Sequence, residues 1–173
     1  MSNSRKQIEA WLKTLVIKGS ALDVGGLFWP VMNRTAVWNV DDYCIADVRD
    51  ERKGFKTHMI WDFNRPLPVV KEYDHVFAIE VTDHLWNTGV AFSNLSRCTK
   101  QGGKLYLSSN FLFPHHTGFD CIRLTRSGLE KLLTENGFKV LSVTPRMAVD
   151  ETLHEAMKKE SKVVYYPGEI GYM

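Results

Sequence analysis

Apolar positions along the chain fall into two periods, and their alternation predicts most of the secondary structure. Ile8, Trp11, Leu12, Leu15 and Val16 recur at helical spacing. Ser4 and Gln7 match a capping box and Gly19 offers a stop, so the spacing predicts an amphipathic helix over 4–18. Short, nearly continuous apolar runs follow: 21–24, "YCIADV" at 43–48, "HMIW" at 58–61, "HVFAIEV" at 75–81, "KLYLSS" at 104–109 and "FKVLSV" at 138–143. Consecutive apolar residues suit strands buried on both faces of a parallel sheet. Between the runs lie helical patterns. Ala91, Leu95 and Cys98 mark one over 88–99, closed by Gly102-Gly103. Leu129, Leu132 and Leu133 mark another over 126–136, with Thr125 as cap and Gly137 as stop.

The expected architecture is an α/β three-layer sandwich, Rossmann-like, with a mostly parallel sheet of six to seven strands and the last strand antiparallel. Residues 1–173 read as one domain: an N-terminal helix over 1–19, a core over 20–143, and a C-terminal helix and final strand over 144–173. Residues 27–42 show no clean period, and a long loop inside a compact domain usually has a function.

Composition narrows the classes. A hydrophobic content of 44% and a net charge of +2 describe an ordinary globular chain. That charge argues against a nucleic-acid footprint, and the one basic run, "MKKESK", reads as a solvated helix face. Cys44, Cys98 and Cys121 are scattered, with neither knuckle nor disulfide spacing, which fits a reducing cytoplasm. No apolar stretch approaches the roughly 18 residues of a membrane span, and the opening "MSNSRKQIEAW" lacks the apolar core expected of a signal peptide.

Ligands of open α/β sheets bind beyond the carboxyl ends of the strands, so the chemistry is sought there. The first strand ends in Asp23 and Gly25-Gly26, where glycines permit close backbone approach. The second ends in Asp47, at the spacing of an acid that accepts from ribose hydroxyls; Asp41 and Asp42 compete for that role. The third ends in "WDFNRPLP", where Asp62 can accept from an adenine amino group and Phe63 can pack on its ring. The fourth ends in "IEVTDHL", placing Glu80, Asp83 and His84 where acid–base groups are useful. After the fifth come His115, His116, Asp120 and Arg123 in a pocket-lining loop. Adjacent histidines rarely face one ion, so no metal is expected.

These motifs, in this order, resemble the class I S-adenosylmethionine-dependent methyltransferases, in the branch often labelled type 11, over residues 20–143. "ALDVGG" resembles the first motif, "YCIADV" the ribose-binding strand, and "WDFNRPLP" the adenine segment. "YDHVFAIEVTDHLWN" is similar to the fourth-strand motif, and "FDCIRLTRSGLEKLLTENGF" to the end of such a domain. The resemblance implies S-adenosyl-L-methionine as cofactor. It implies that Gly25 and Gly26 lie at the methionine part with Asp23 supporting the turn, Asp47 at the ribose, Asp62 and Phe63 at the adenine, and Ile79 and Glu80 beside the sulfonium. It implies that His115, His116, Asp120 and Arg123 lie at the acceptor site; where the acceptor is a hydroxyl, His84 or His115 could serve as base. The implied reaction is methyl transfer to oxygen or nitrogen of a small molecule or glycan. The chain departs from the usual Gly-x-Gly, having Gly25-Gly26-Leu27, so the alternative is a non-catalytic relative that binds a partner or only the cofactor. A nicotinamide enzyme is disfavoured by only two early glycines, and base methylation by "EVTDHL" in place of an Asn/Asp-Pro-Pro-aromatic sequence.

Overall fold

The computed structural model describes residues 3–52, 55–68, 71–111 and 120–144. Helix α1 (Asn3–Leu12) leads into strand β1 (Val16–Val24), then β2 (Val37–Asp47), a small hairpin of β3 (Glu51–Arg52) and β4 (Phe55–Lys56), and β5 (Met59–Ile60). Strand β6 (Tyr73–Ala78), a 3₁₀ turn (Thr82–His84), α2 (Thr88–Cys98), β7 (Thr99–Leu107) and α3 (Arg126–Glu135) complete it. Among the described residues the main sheet has five strands in the order β5-β2-β1-β6-β7, and every pairing among them is parallel. The chain runs outward from β1 to β5, then returns to β6 beside β1. The strand order therefore reverses between β1 and β6, the switch point at which such sheets bind ligands.

Both sheet faces are covered, as the apolar runs predict. Leu22, Val24, Val76 and Ala78 pack with Ala91, Leu95 and Cys98 of α2 on one face. Ile17, Ala21 and Phe77 pack with Ile8 and Leu12 of α1 and with Val31 on the other. Helix α3 is capped by Thr125, whose hydroxyl accepts from the Gly128 N–H at 3.1 Å, and is followed by Gly137 at φ +83°.

Three expectations are corrected. The first helix stops at Leu12 rather than running to residue 18. The β-branched pair Val16-Ile17 instead opens β1, pairing with Val37 and Trp38, and Ile17 is fully buried there. Gly19 is thus no helix stop but lies within β1 facing a bulge in β2, at φ +89°, where a Cβ would lie 2.7 Å from the Asp74 carboxylate. Likewise α2 ends at Cys98, and Gly102-Gly103 lie inside β7 at a break in its register with β6. The run at 138–143 forms no strand among the described residues, and Leu141 and Val143 are exposed. Among the described residues five parallel strands are present, of the six to seven expected over the whole chain. The expected C-terminal helix and antiparallel last strand fall beyond residue 144, outside the described residues.

Candidate functional site

At the end of β1, Asp23 points inward. Its side chain is buried, and one oxygen accepts from the Val31 N–H at 2.8 Å and the Tyr43 hydroxyl at 2.7 Å. Burial pushes its pKa up to about 6, although both hydrogen bonds pull the other way. Asp23 is therefore the staple of crossover 25–36, which connects two parallel strands without a helix. Both glycines have packing reasons. Gly25 sits at φ +73° with its Cα against Val81, where a Cβ would lie 2.7 Å from a methyl; Gly26 lies so close to Asp23 that a Cβ would be 2.2 Å from the carboxyl carbon. Leu27 turns into the core, while Phe28 and Trp29 face outward. Arg49 lies 4.7 Å over the Phe28 ring and Arg5 lies 5.0 Å over Trp29. Arg34 ties the crossover to α1, donating to Glu9 and to the Trp29 carbonyl.

At the ends of β2 and β5, Asp47 is half-buried and its carboxylate accepts from the Arg49 N–H at 3.2 Å. Its rivals lie elsewhere: Asp41 is the extra residue of the bulge in β2, and Asp42 pairs with Lys71 at 2.6 Å. An open cavity of about 300 Å³ lies beyond these strand ends, lined by Val48, Ile60, Trp61, Asp62 and Arg65. The Asp62 carboxylate is oriented by the backbone and side-chain N–H groups of Asn64, both at 2.9 Å. Asn64 is fixed in turn by the His84 carbonyl and by Asn87. The Phe63 ring is not on this cavity: it is buried in the core against the α2 face, so the expected packing on an adenine ring is corrected. The apolar lining comes instead from Val48, which is 62% exposed, with Ile60 and Trp61.

At the ends of β6 and β7, Ile79 packs partly buried against the α1-side core. Glu80 has φ +59°, a left-handed conformation uncommon for a residue other than glycine and often held in place by its surroundings. Ser108 supplies that constraint: its hydroxyl accepts from the Glu80 N–H at 2.8 Å and donates to the Glu80 carboxylate at 3.0 Å. The Thr82 hydroxyl donates to the Ser108 carbonyl, lacing the two strand ends together. His84 closes the 3₁₀ turn, half-buried. Arg123 donates to Asp120 and approaches Asp83 to 4.0 Å. His115 and His116 lie outside the described residues.

The structure therefore brings Gly25, Gly26, Asp47, Glu80 and His84 to the carboxyl ends of neighbouring strands, with Asp62 on the flanking cavity. Sequence reasoning missed Val48, Asn64, Tyr43 and Ser108. An apolar residue directly after a strand-end acid was the available signal for Val48. Tyr43 and Ser108 act through contacts distant in sequence, which no local pattern displays; Asn64 orients Asp62 from two residues on but is itself held by His84 and Asn87 across the fold.

No family model matches the chain, and no curated protein matches it. Solved structures do. A Bacillus halodurans C-125 protein assigned as a methyltransferase is 16% identical over 95% of this chain and 86% of its own, with a TM-score of 0.62. A chain of the complex between the Haloferax volcanii Trm112 methyltransferase activator and a methyltransferase is 15% identical over 78% of this chain and 67% of its own, at TM-score 0.59. Haemonchus contortus phosphoethanolamine N-methyltransferase 2, solved with S-adenosyl-L-methionine, is 16% identical over 91% of this chain at TM-score 0.55, and this chain spans only 42% of it. Strand order, switch point and these likenesses agree: the chain has the fold of the class I S-adenosylmethionine-dependent methyltransferases.

Proposed function

We propose that this protein is an S-adenosylmethionine-dependent methyltransferase acting at oxygen or nitrogen of a small-molecule or glycan acceptor, as a single cytoplasmic domain. The observation that carries the reading is the placement of Asp47 and the Asp62 cavity beside a helix-free crossover at the switch point. A dinucleotide's pyrophosphate is normally received by a helix N-terminus after the first strand. Here no helix follows β1, and the Gly25 N–H is spent on the Ala46 carbonyl at 2.8 Å. A nucleoside with a short zwitterionic tail makes no such demand.

The donor set fits that group. Asp47 would accept from the ribose hydroxyls, and Asp62 from an exocyclic amine while Val48, Ile60 and Trp61 exclude water from the ring. Glu80, held by Ser108, puts a carboxylate near the cationic end, and Gly25-Gly26 line the tail. S-adenosylmethionine supplies an activated methyl group when bound. The protein's part is alignment of the acceptor and, for a hydroxyl acceptor, removal of its proton by His84 or His115. His116, Asp120 and Arg123 belong to the acceptor side. Asp47→Ala should weaken S-adenosylhomocysteine binding by about 1–3 kcal/mol in calorimetry, the cost of lost hydrogen bonds to a charged group; unchanged affinity would remove Asp47 from the site.

A second reading rests on the glycine packing. Val81 covers Gly25 and Asp23 covers Gly26, so both glycines are explained without a ligand. A non-catalytic protein that binds a partner or only the cofactor would keep them equally. Retained cofactor affinity without methyl transfer to any small-molecule or glycan acceptor would favour it.

A further inference from the structure

The carboxyl ends of β6 and β7 hold a charged cluster, Asp83, Asp120 and Arg123, two of whose members the methyl-transfer reading puts on the acceptor side without using Asp83. Asp83 and Asp120 have side chains only 2% and 3% exposed, and the guanidinium between them is 24% exposed. Arg123 donates to Asp120 and lies 4.0 Å from Asp83. The backbone repeats the same docking: the Asp83 carbonyl accepts from the N–H groups of Cys121 at 2.8 Å and Ile122 at 3.3 Å. Asp83 therefore holds segment 120–123 by hydrogen bonds to its carbonyl, and its carboxylate faces the Arg123 guanidinium at ion-pair distance. The turn it sits in also carries His84 and begins two residues after the strained Glu80.

Two carboxylates around one guanidinium are costly to bury and add little net stability over apolar packing. What such a pair does supply is directionality. The guanidinium is planar and presents its donors in a fixed fork, so it fixes one relative orientation of the groups it joins. A lysine keeps the charge and loses the fork.

We propose that Asp83 and Arg123 form a positioning pair that locks segment 120–123 onto the Thr82–His84 turn, so that the acceptor side of the site moves as one body. This rests on the methyltransferase reading for its function, but the lock itself is measured independently. Arg123 is thus a positioning residue that acts through Asp83, and its contact with an acceptor is secondary.

The test is hydrogen exchange, read amide by amide on the full chain, with Arg123→Met, Arg123→Lys and the charge-removing double variant Asp83→Asn/Arg123→Met. Arg123→Met should speed exchange at Cys121 and Ile122 tenfold or more while Leu22 and Val76 in the central strands stay protected. Arg123→Lys, which keeps the charge and loses the fork, should restore protection at both amides only in part, and it stays measurable if the Met variant proves too unstable. The double variant removes the uncompensated carboxylate at position 83 but leaves Asp120 without its cation, so it should recover part of the global stability and none of the local protection. Unchanged protection at Cys121 and Ile122 in Arg123→Met would overturn the proposal. So would uniform loss across the central strands, or equal behaviour of the Lys and Met variants. S-adenosylhomocysteine titration of each variant is expected to agree with wild type within about threefold. If wild type itself binds none, the methyltransferase reading fails while the exchange result still decides the lock.

Discussion

Gly26→Ala is expected to lower stability by about 3 kcal/mol, the upper end of the overpacking range, and to abolish cofactor binding with it. The added methyl would lie 2.2 Å from the Asp23 carboxyl carbon and within 2.6 Å of both its oxygens. Asp23 cannot move aside without releasing the Val31 N–H and the Tyr43 hydroxyl. Those bonds hold crossover 25–36 in place of a helix, so displacement spreads from Gly26 to Trp29 and Arg34. Thermal melting reads the loss. Gly89→Ala is the matched control: it lies in α2 with nothing within 4 Å of its new methyl, and should cost nothing. Gly26→Ala combined with Asp23→Ala should recover part of the packing loss, because the colliding carboxyl is gone.

The second large effect is on pH. Asp23 is buried with its pKa raised to about 6 from 3.8, chiefly by desolvation. A raised carboxyl pKa contributes stability that is fully present below the unfolded value and is lost as pH rises through the folded one. The window is therefore pH 4 to about 6, and the shift of roughly two units corresponds to about 3 kcal/mol. His75 works in the opposite sense. Its pKa is lowered, first by burial, so its neutral form favours folding as pH rises through 6.5. The net profile of the wild type mixes the two, and the comparison with Asp23→Asn separates them. Asparagine can accept from the Val31 N–H and the Tyr43 hydroxyl without ionising. Denaturant unfolding should show the variant close to wild type at pH 4 and more stable than wild type, by about 3 kcal/mol, at pH 7. A constant difference across that range would mean that Asp23 does not ionise in this window.

Much of this was legible from spacing. Apolar runs located the strand cores of β1, β2, β6 and β7, because a strand covered on both faces leaves an unbroken apolar signature. The Thr125 and Gly137 caps gave α3 almost to the residue. The misread positions share a cause: each glycine was taken as punctuation of its own segment, whereas Gly19 and Gly103 answer to Asp74 across the sheet. Val16 continues the helical period of α1 and also begins a β-branched pair, and only pairing with β2 decides between them. At the site, strand-end acids announced themselves, since their position is set by the sheet. Phe63 could not, because an aromatic residue after a strand suits a ligand's ring and a core equally well. The Asp83–Arg123 contact spans forty residues and has no local trace.

The central claim is that the switch point is built for a nucleoside with an amino-acid tail. Calorimetric titration of the wild-type chain with S-adenosylmethionine, S-adenosylhomocysteine and NAD tests it most directly. The account predicts saturable heat with the first two and none with NAD. No heat from either sulfur ligand at millimolar concentration, or binding of NAD in their place, would contradict it.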